Sequence, residues 1–234
     1  MIRLHSLSIA AAALLSASAP HALAQTQPNV TLAMVSNNWS SRVCVVCACP
    51  TVINRVWGHA TLVYSHSDQW DAYYTVTGIG WYSDSGQTVT GTGTYRIGGD
   101  FALTHHMSLD VLVNGVPMHF ESTDELVTTP FPDIRITVDE PHDPNPCYFN
   151  RFYLNFDGRC SLADIATVGG EAQSDGQLTV DDLVLYLDQF FNTPPFSGVK
   201  PADICGLGGA LAPDGEVTAD DLIAYLSAFF AGGC

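Results

Sequence analysis

Two stretches of this chain repeat each other without a gap, and that duplication restricts the fold more than any other feature. Residues 163–191 and 202–230 share 15 of their 29 positions. The shared set is Ala-Asp-Ile, Gly-Gly, Asp-Gly, Thr, Asp-Asp-Leu, Tyr-Leu and Phe-Phe. A unit this short cannot bury its own apolar face, so two copies must pack together as one small helical module. Apolar residues recur at helical spacing in both copies: Val180, Leu183, Val184, Leu187, Phe190 and Phe191, then Leu222, Ile223, Leu226, Phe229 and Phe230. Thr179 and Thr218 stand where helix N-caps belong. Asp182 and Asp221 follow three residues later, at capping-box spacing.

The Asp-Gly ahead of each helix has the form of the second half of a calcium loop. Such loops take oxygens from positions 1, 3, 5, 7, 9 and 12, with Gly at 6 for the sharp turn. With Asp175-Gly176 at 5 and 6, Gln177 supplies a backbone carbonyl, Thr179 stands at 9 and Asp182 at 12. The second copy offers Asp214, Glu216, Thr218 and Asp221 in the same places. Standard spacing fails upstream, where Glu171 and Gln173 align with Ala210 and Ala212. The acid common to both copies is Asp164 or Asp203, so an expanded loop with these as first ligands is expected. The Gly-Gly segment between would bring carbonyls or waters to a bound Ca²⁺. Asp181 and Asp220 should face solvent in the first helical turn, where negative charge suits the helix dipole.

These motifs, with the closing Ala231-Gly-Gly-Cys234, resemble the Gly-Cys-ended dockerin-like modules of planctomycete-type secreted proteins. The resemblance covers about residues 160–234. It implies a small all-α, EF-hand-like module, two Ca²⁺ loops, and helices that dock onto a cohesin-like or surface-anchoring partner. The expanded loop departs from the family pattern. So do Val180-Asp181 and Ala219-Asp220, which stand where cellulosomal dockerins often carry Ser/Thr.

Ahead of the repeat the grammar is that of strands. Residues 42–49, 60–65, 72–81, 87–97, 133–138 and 148–156 are rich in β-branched and aromatic residues. Asn114-Gly115 between apolar runs marks a hairpin with a type I′ turn. Many short strands with Gly, Pro and Asn turns point to an antiparallel β-sandwich or barrel over residues 25–157. Residues 158–234 form the second unit. Residues 1–24 read as a secretory signal: Arg3, an apolar run over 9–19, and Ala22-Leu23-Ala24 as the cleavage site. The expected location is therefore extracellular or cell-surface. No other segment approaches the roughly 20 apolar residues of a membrane span.

The formal net charge is −16. Residues 160–234 hold eleven acids against Lys200 alone. Nucleic acid needs clustered Lys/Arg and is excluded as a partner. Seven cysteines in an exported chain imply disulfides, with one thiol left over. Cys160 and Cys234 bracket the module as a clamp. Cys44, Cys47, Cys49 and His59 offer a metal knuckle, against the alternative of disulfides that reach Cys147. His105, His106 and His119 offer a histidine metal site. Trp57, Trp70, Trp81, Tyr73, Tyr74 and Tyr82 offer a carbohydrate-stacking face. Glu121, Asp124 and Glu125 offer a glycosidase acid pair. No hydrolase motif accompanies them. The expected function is an exported, ligand- or carbohydrate-binding or structural β-domain on a calcium-dependent tether. The alternative is a small polysaccharide-acting hydrolase on the same tail.

Overall fold

The computed structural model describes residues 29–35, 37–141, 147–192, 202–210 and 213–232. The expected signal segment, most of the stretch over 192–198 that joins the two copies, and Cys234 lie outside the described residues. Ten strands make one antiparallel sheet: β1 (Val30–Met34), β2 (Trp39–Cys44), β3 (Val52–Ser67), β4 (Asp71–Ser83), β5 (Thr88–Gly98), β6 (Thr104–Val113), β7 (Val116–Glu121), β8 (Glu125–Leu126), β9 (Ile134–Asp139) and β10 (Tyr148–Arg159). Two helices follow, α1 (Val180–Asn192) and α2 (Ala219–Ala231).

The strands from β2 to β7 run as a meander. β7 meets β9 at Glu121 and Asp139, β9 pairs with β10, and β10 returns to β1 and β2. The hydrogen-bond path closes on itself, so the β-domain is a barrel. β1 and β2 lie end to end between β10 and β3 and act as one broken stave. β7 and β8 do the same beside β6. Eight staves result, a number that leaves an interior just wide enough for side chains to fill. Leu32, Leu62, Val76, Trp81, Met107, Leu109, Phe120, Ile134, Val138, Leu154 and Phe156 fill it and are essentially sealed from solvent. Each such side chain contributes roughly 1.5–3 kcal/mol through burial.

The hairpin between β6 and β7 forms as expected. Asn114 and Gly115 both take positive φ, 51° and 79°, as a type I′ turn requires. One expected strand is shortened: β2 stops at Cys44 instead of running to Cys49. Disulfides Cys44–Cys49 and Cys47–Cys147 fold that segment back on itself and tie it to the start of β10.

α1 and α2 pack through Tyr186 and Tyr225, whose rings stack at 3.7 Å and 8° between planes. Each tyrosine hydroxyl donates to the other repeat, Tyr186 to the Ala202 carbonyl and Tyr225 to the Ala163 carbonyl. The duplicated sequence thus becomes a structure in which each copy caps its twin. The pair rests on the outer wall of the barrel. Val56 and Trp81 point inward, so their neighbours Trp57 and Tyr82 point outward. The Trp57 indole N–H donates to Asp203 at 3.4 Å. Gly215 lies so close to the Tyr82 ring that a Cβ there would sit 2.6 Å from it, and its φ is +89°.

Candidate functional site

Eight of the ten residues expected to hold calcium lie in the two loops that enter α1 and α2, and Asp182 and Asp221 lie in the first turns of those helices; the two copies are built alike. Asp164 accepts from the backbone N–H of Asp175 and Gly176, both at 3.1 Å. Asp203 accepts from Asp214 at 3.1 Å and Gly215 at 2.8 Å. Asp182 accepts from the amides of Ile165, Ala166 and Thr179 at 2.7–2.8 Å, and from the Thr179 hydroxyl at 3.3 Å. Asp221 repeats this with Ile204, Cys205 and Thr218 at 2.7–3.0 Å, and with the Thr218 hydroxyl at 3.2 Å. Asp175 bridges the amides of Val168 and Gln177, and Asp214 those of Leu207 and Glu216. Gln177 and Glu216 enter only through those amides. Thr179 and Thr218 also accept from the amides of Asp181 and Asp220, which makes them helix caps.

Asp181 and Asp220 differ from the expectation. They are half-buried and reach back to the amides of Gly169 and Gly208 at 2.9 and 2.8 Å. Both Gly-Gly pairs take positive φ. That turns their N–H groups toward the carboxylates of the first helical turn.

Asp164, Asp182, Asp203 and Asp221 are almost wholly buried. Buried carboxylates are tolerated only when paired or hydrogen-bonded. Here the positive ends of amide dipoles surround them. The two loops differ in what lies beside them. In the first, the buried Arg159 guanidinium sits near Asp157, Asp164 and Asp182. In the second, the Trp57 indole N–H takes that place. Burial pushes the Asp203 carboxyl up to about 6, against the pull of the Gly215, Asp214 and Trp57 donors. Asp164 also shifts upward through burial, opposed by the Asp175 and Gly176 amides.

Carboxylate oxygens are the right donors for calcium, which wants six to eight oxygens around one point. These oxygens are aimed outward at amide protons instead. Among the described residues no three acids, histidines or cysteines converge on a point where an ion could sit. In this arrangement backbone amides, and not one another, are what the carboxylates meet. If these amide hydrogen bonds alone order the loops, melting of residues 25–234, followed at 222 nm, should shift by less than about 2 °C between excess chelator and millimolar Ca²⁺. A calcium-held module would lose several kcal/mol without its ion.

Between the tail and the barrel wall lies a cleft of about 400 Å³. Trp57, His59, Arg159, Asp203, Tyr186 and Tyr225 line it. Burial lowers the His59 pKa to about 4, whereas an unfolded histidine titrates near 6.5. The folded state therefore resists a proton that the unfolded chain accepts. Stability should fall as pH drops from 6.5 toward 4, by roughly 3 kcal/mol. The difference between wild type and His59→Gln, measured by urea denaturation at both pH values, isolates this contribution from the neighbouring carboxylates.

The remaining candidates separate. Cys44, Cys47 and Cys49 are spent in disulfides and leave His59 no partners for a metal knuckle. His105 faces the interior and meets the Tyr95 hydroxyl at 3.2 Å. His106 and His119 point outward and pair with Glu121 and Asp110. Trp81 and Tyr74 belong to the barrel core, Trp57 and Tyr82 lie under the tail, and Trp70 is exposed. Tyr73 stacks on His66, so the six aromatics form no common face. Asp124 pairs with Arg96, and Glu125 accepts from the Thr137 amide across the seam between β8 and β9. Among the described residues Cys205 is a buried free thiol, pushed up to about 12 by burial. Cys160 is disulfide-bonded, and its expected partner lies outside the described residues.

The helical stripe also divides. Leu183 and Phe190 are half-buried against the Tyr186 cluster, and Leu187 is half-buried too. Val184 and Ile223 are 60% and 62% exposed, and Phe191 and Phe230 are 73% and 77% exposed. Sequence periodicity missed Tyr186 and Tyr225, although Tyr-Leu is among the identical positions of the repeat. No family model, curated protein or solved structure matches this chain.

Proposed function

We propose that this is an exported protein in which a β-barrel is held at a cell surface by its dockerin-like tail. The tail docks through the outer faces of α1 and α2 onto an anchoring protein of cohesin-like role. One observation carries this reading: large apolar side chains stay exposed at matching positions of both helices, Val184 with Ile223 and Phe191 with Phe230. A fold that only needed to be stable would hide or replace them. Exposed apolar patches with polar rims mark interaction surfaces.

Charge selects the kind of partner. The tail carries eleven acids and one lysine, so a second copy would be repelled and a basic-rimmed apolar strip would be attracted. Two disulfides in the barrel suit the oxidising setting of an exported protein.

The test is a Phe191→Asp, Phe230→Asp double variant expressed in the producing cell. Both side chains are mostly exposed, so the helical signal should persist. The variant should pass into the medium while wild type stays on the envelope. Retention of a folded double variant at the wild-type level would overturn the reading.

A further inference from the structure

The end of the barrel beside the two disulfides holds a cup of about 180 Å³. Its walls are the inward faces of the last residues of the staves. Val113, Met118, Phe120 and Phe152 form the floor. Ser40, Arg42, Asn54 and Gln87 stand around the rim. Cavities of roughly 150 Å³ accept a benzene ring, so one six-membered ring fits here.

The rim side chains are not spent on the protein itself. Among the described residues, those of Ser40, Arg42, Asn54 and Gln87 make no hydrogen bond within the chain. The Arg42 guanidinium lies over the Tyr148 ring at 4.4 Å, which holds it in place without neutralising it. Arg96, Arg135 and Arg151 are paired with carboxylates, and Arg159 has three close by. Glu140, near the same rim, is engaged by the amide side chain of Asn150 at 2.8 Å. A guanidinium with no carboxylate partner among the described residues, set above an apolar floor, matches a carboxylate on an apolar body. The overall negative charge does not forbid this, because salt screens charges beyond about 8 Å.

On the side of β2, β3 and β10 the cup has an apolar collar. Val45, Val46, Val52, Ile53 and Tyr148 are all exposed. Cys44–Cys49 and Cys47–Cys147 brace the loop that carries the first two. A braced apolar collar loses little freedom on binding. It also favours an apolar ring over a sugar acid, whose hydroxyls would be stranded against Phe120 and Phe152.

We propose that this barrel mouth binds a small carboxylate carried on an apolar ring, with Arg42 on the carboxylate and Phe120 and Phe152 beneath the ring. This site is independent of the tail and its docking. The mature, disulfide-intact protein is titrated with benzoate, benzamide and glucuronate by calorimetry and by chemical-shift mapping. Benzoate should bind in the low millimolar range or tighter and shift the resonances of Phe120 and Phe152. Benzamide and glucuronate should bind at least tenfold more weakly. Arg42→Gln, at an exposed rim position, should weaken benzoate about tenfold without changing the melting temperature. The proposal fails if benzoate does not bind at 20 mM, if either control matches it, or if Arg42→Gln binds benzoate as wild type does.

Discussion

Replacing Asp221 with alanine unfolds the helical tail and leaves the barrel standing. Asp221 has no exposed surface, and its two oxygens serve four donors, the amides of Ile204, Cys205 and Thr218 and the Thr218 hydroxyl. Alanine leaves those donors buried without partners, at about 1–3 kcal/mol each. Even with partial relaxation the loss is about 4 kcal/mol or more. The tail has little reserve, since its fully buried core is Ala163, Tyr186, Ala202 and Tyr225. Asp182→Ala should act alike, because Asp182 holds the same four donors in the first copy. Helical ellipticity should disappear at room temperature while near-ultraviolet signals from the buried Trp81 persist. An Asp221→Ala protein that melts within 2 °C of wild type would show that the clasp contributes nothing.

Removing the Cys47–Cys147 bond should cost the barrel about 4–5 kcal/mol. The bond closes a loop of 100 residues, and in the chain-entropy account the penalty grows with the logarithm of loop length. Cys44–Cys49 spans five residues and should contribute only about 2 kcal/mol on the same account. Paired serine variants compared by urea denaturation read the difference directly. Equal losses for the two pairs would contradict the entropic argument and point to a purely local role for the knuckle.

Both expectations concern long-range closure, and there the sequence is hardest to read. The carboxylate clasps illustrate this. The spacing of Asp164 and Asp175-Gly176 brings all the acids into one loop, and the duplication marks them as a set. A carboxylate oxygen accepts an amide proton or a cation with equal chemical ease. Only the path of the backbone decides which of the two it faces. Asp181 and Asp220 read as solvent-facing from helix position alone, yet the positive φ of the Gly-Gly pairs carries Gly169 and Gly208 back to them.

The sequence by itself determined what depends on neighbours within a turn or a strand. That includes the threonine caps of α1 and α2, the Asn114-Gly115 turn, the β-rich first part and the twinned helices. Local φ preferences and side-chain periods of two or 3.6 residues are written in the order of residues. The tertiary structure alone decided that the sheet closes through β9, β10 and the shared stave of β1 and β2. It also decided that Trp81 lies inside while Trp57 lies outside under the tail, and that half of each helical stripe stays bare. These outcomes depend on which distant surfaces meet. Register shifts such as the one between Val76 and Ile79 reset the alternation of faces along a strand, so no local pattern carries that information.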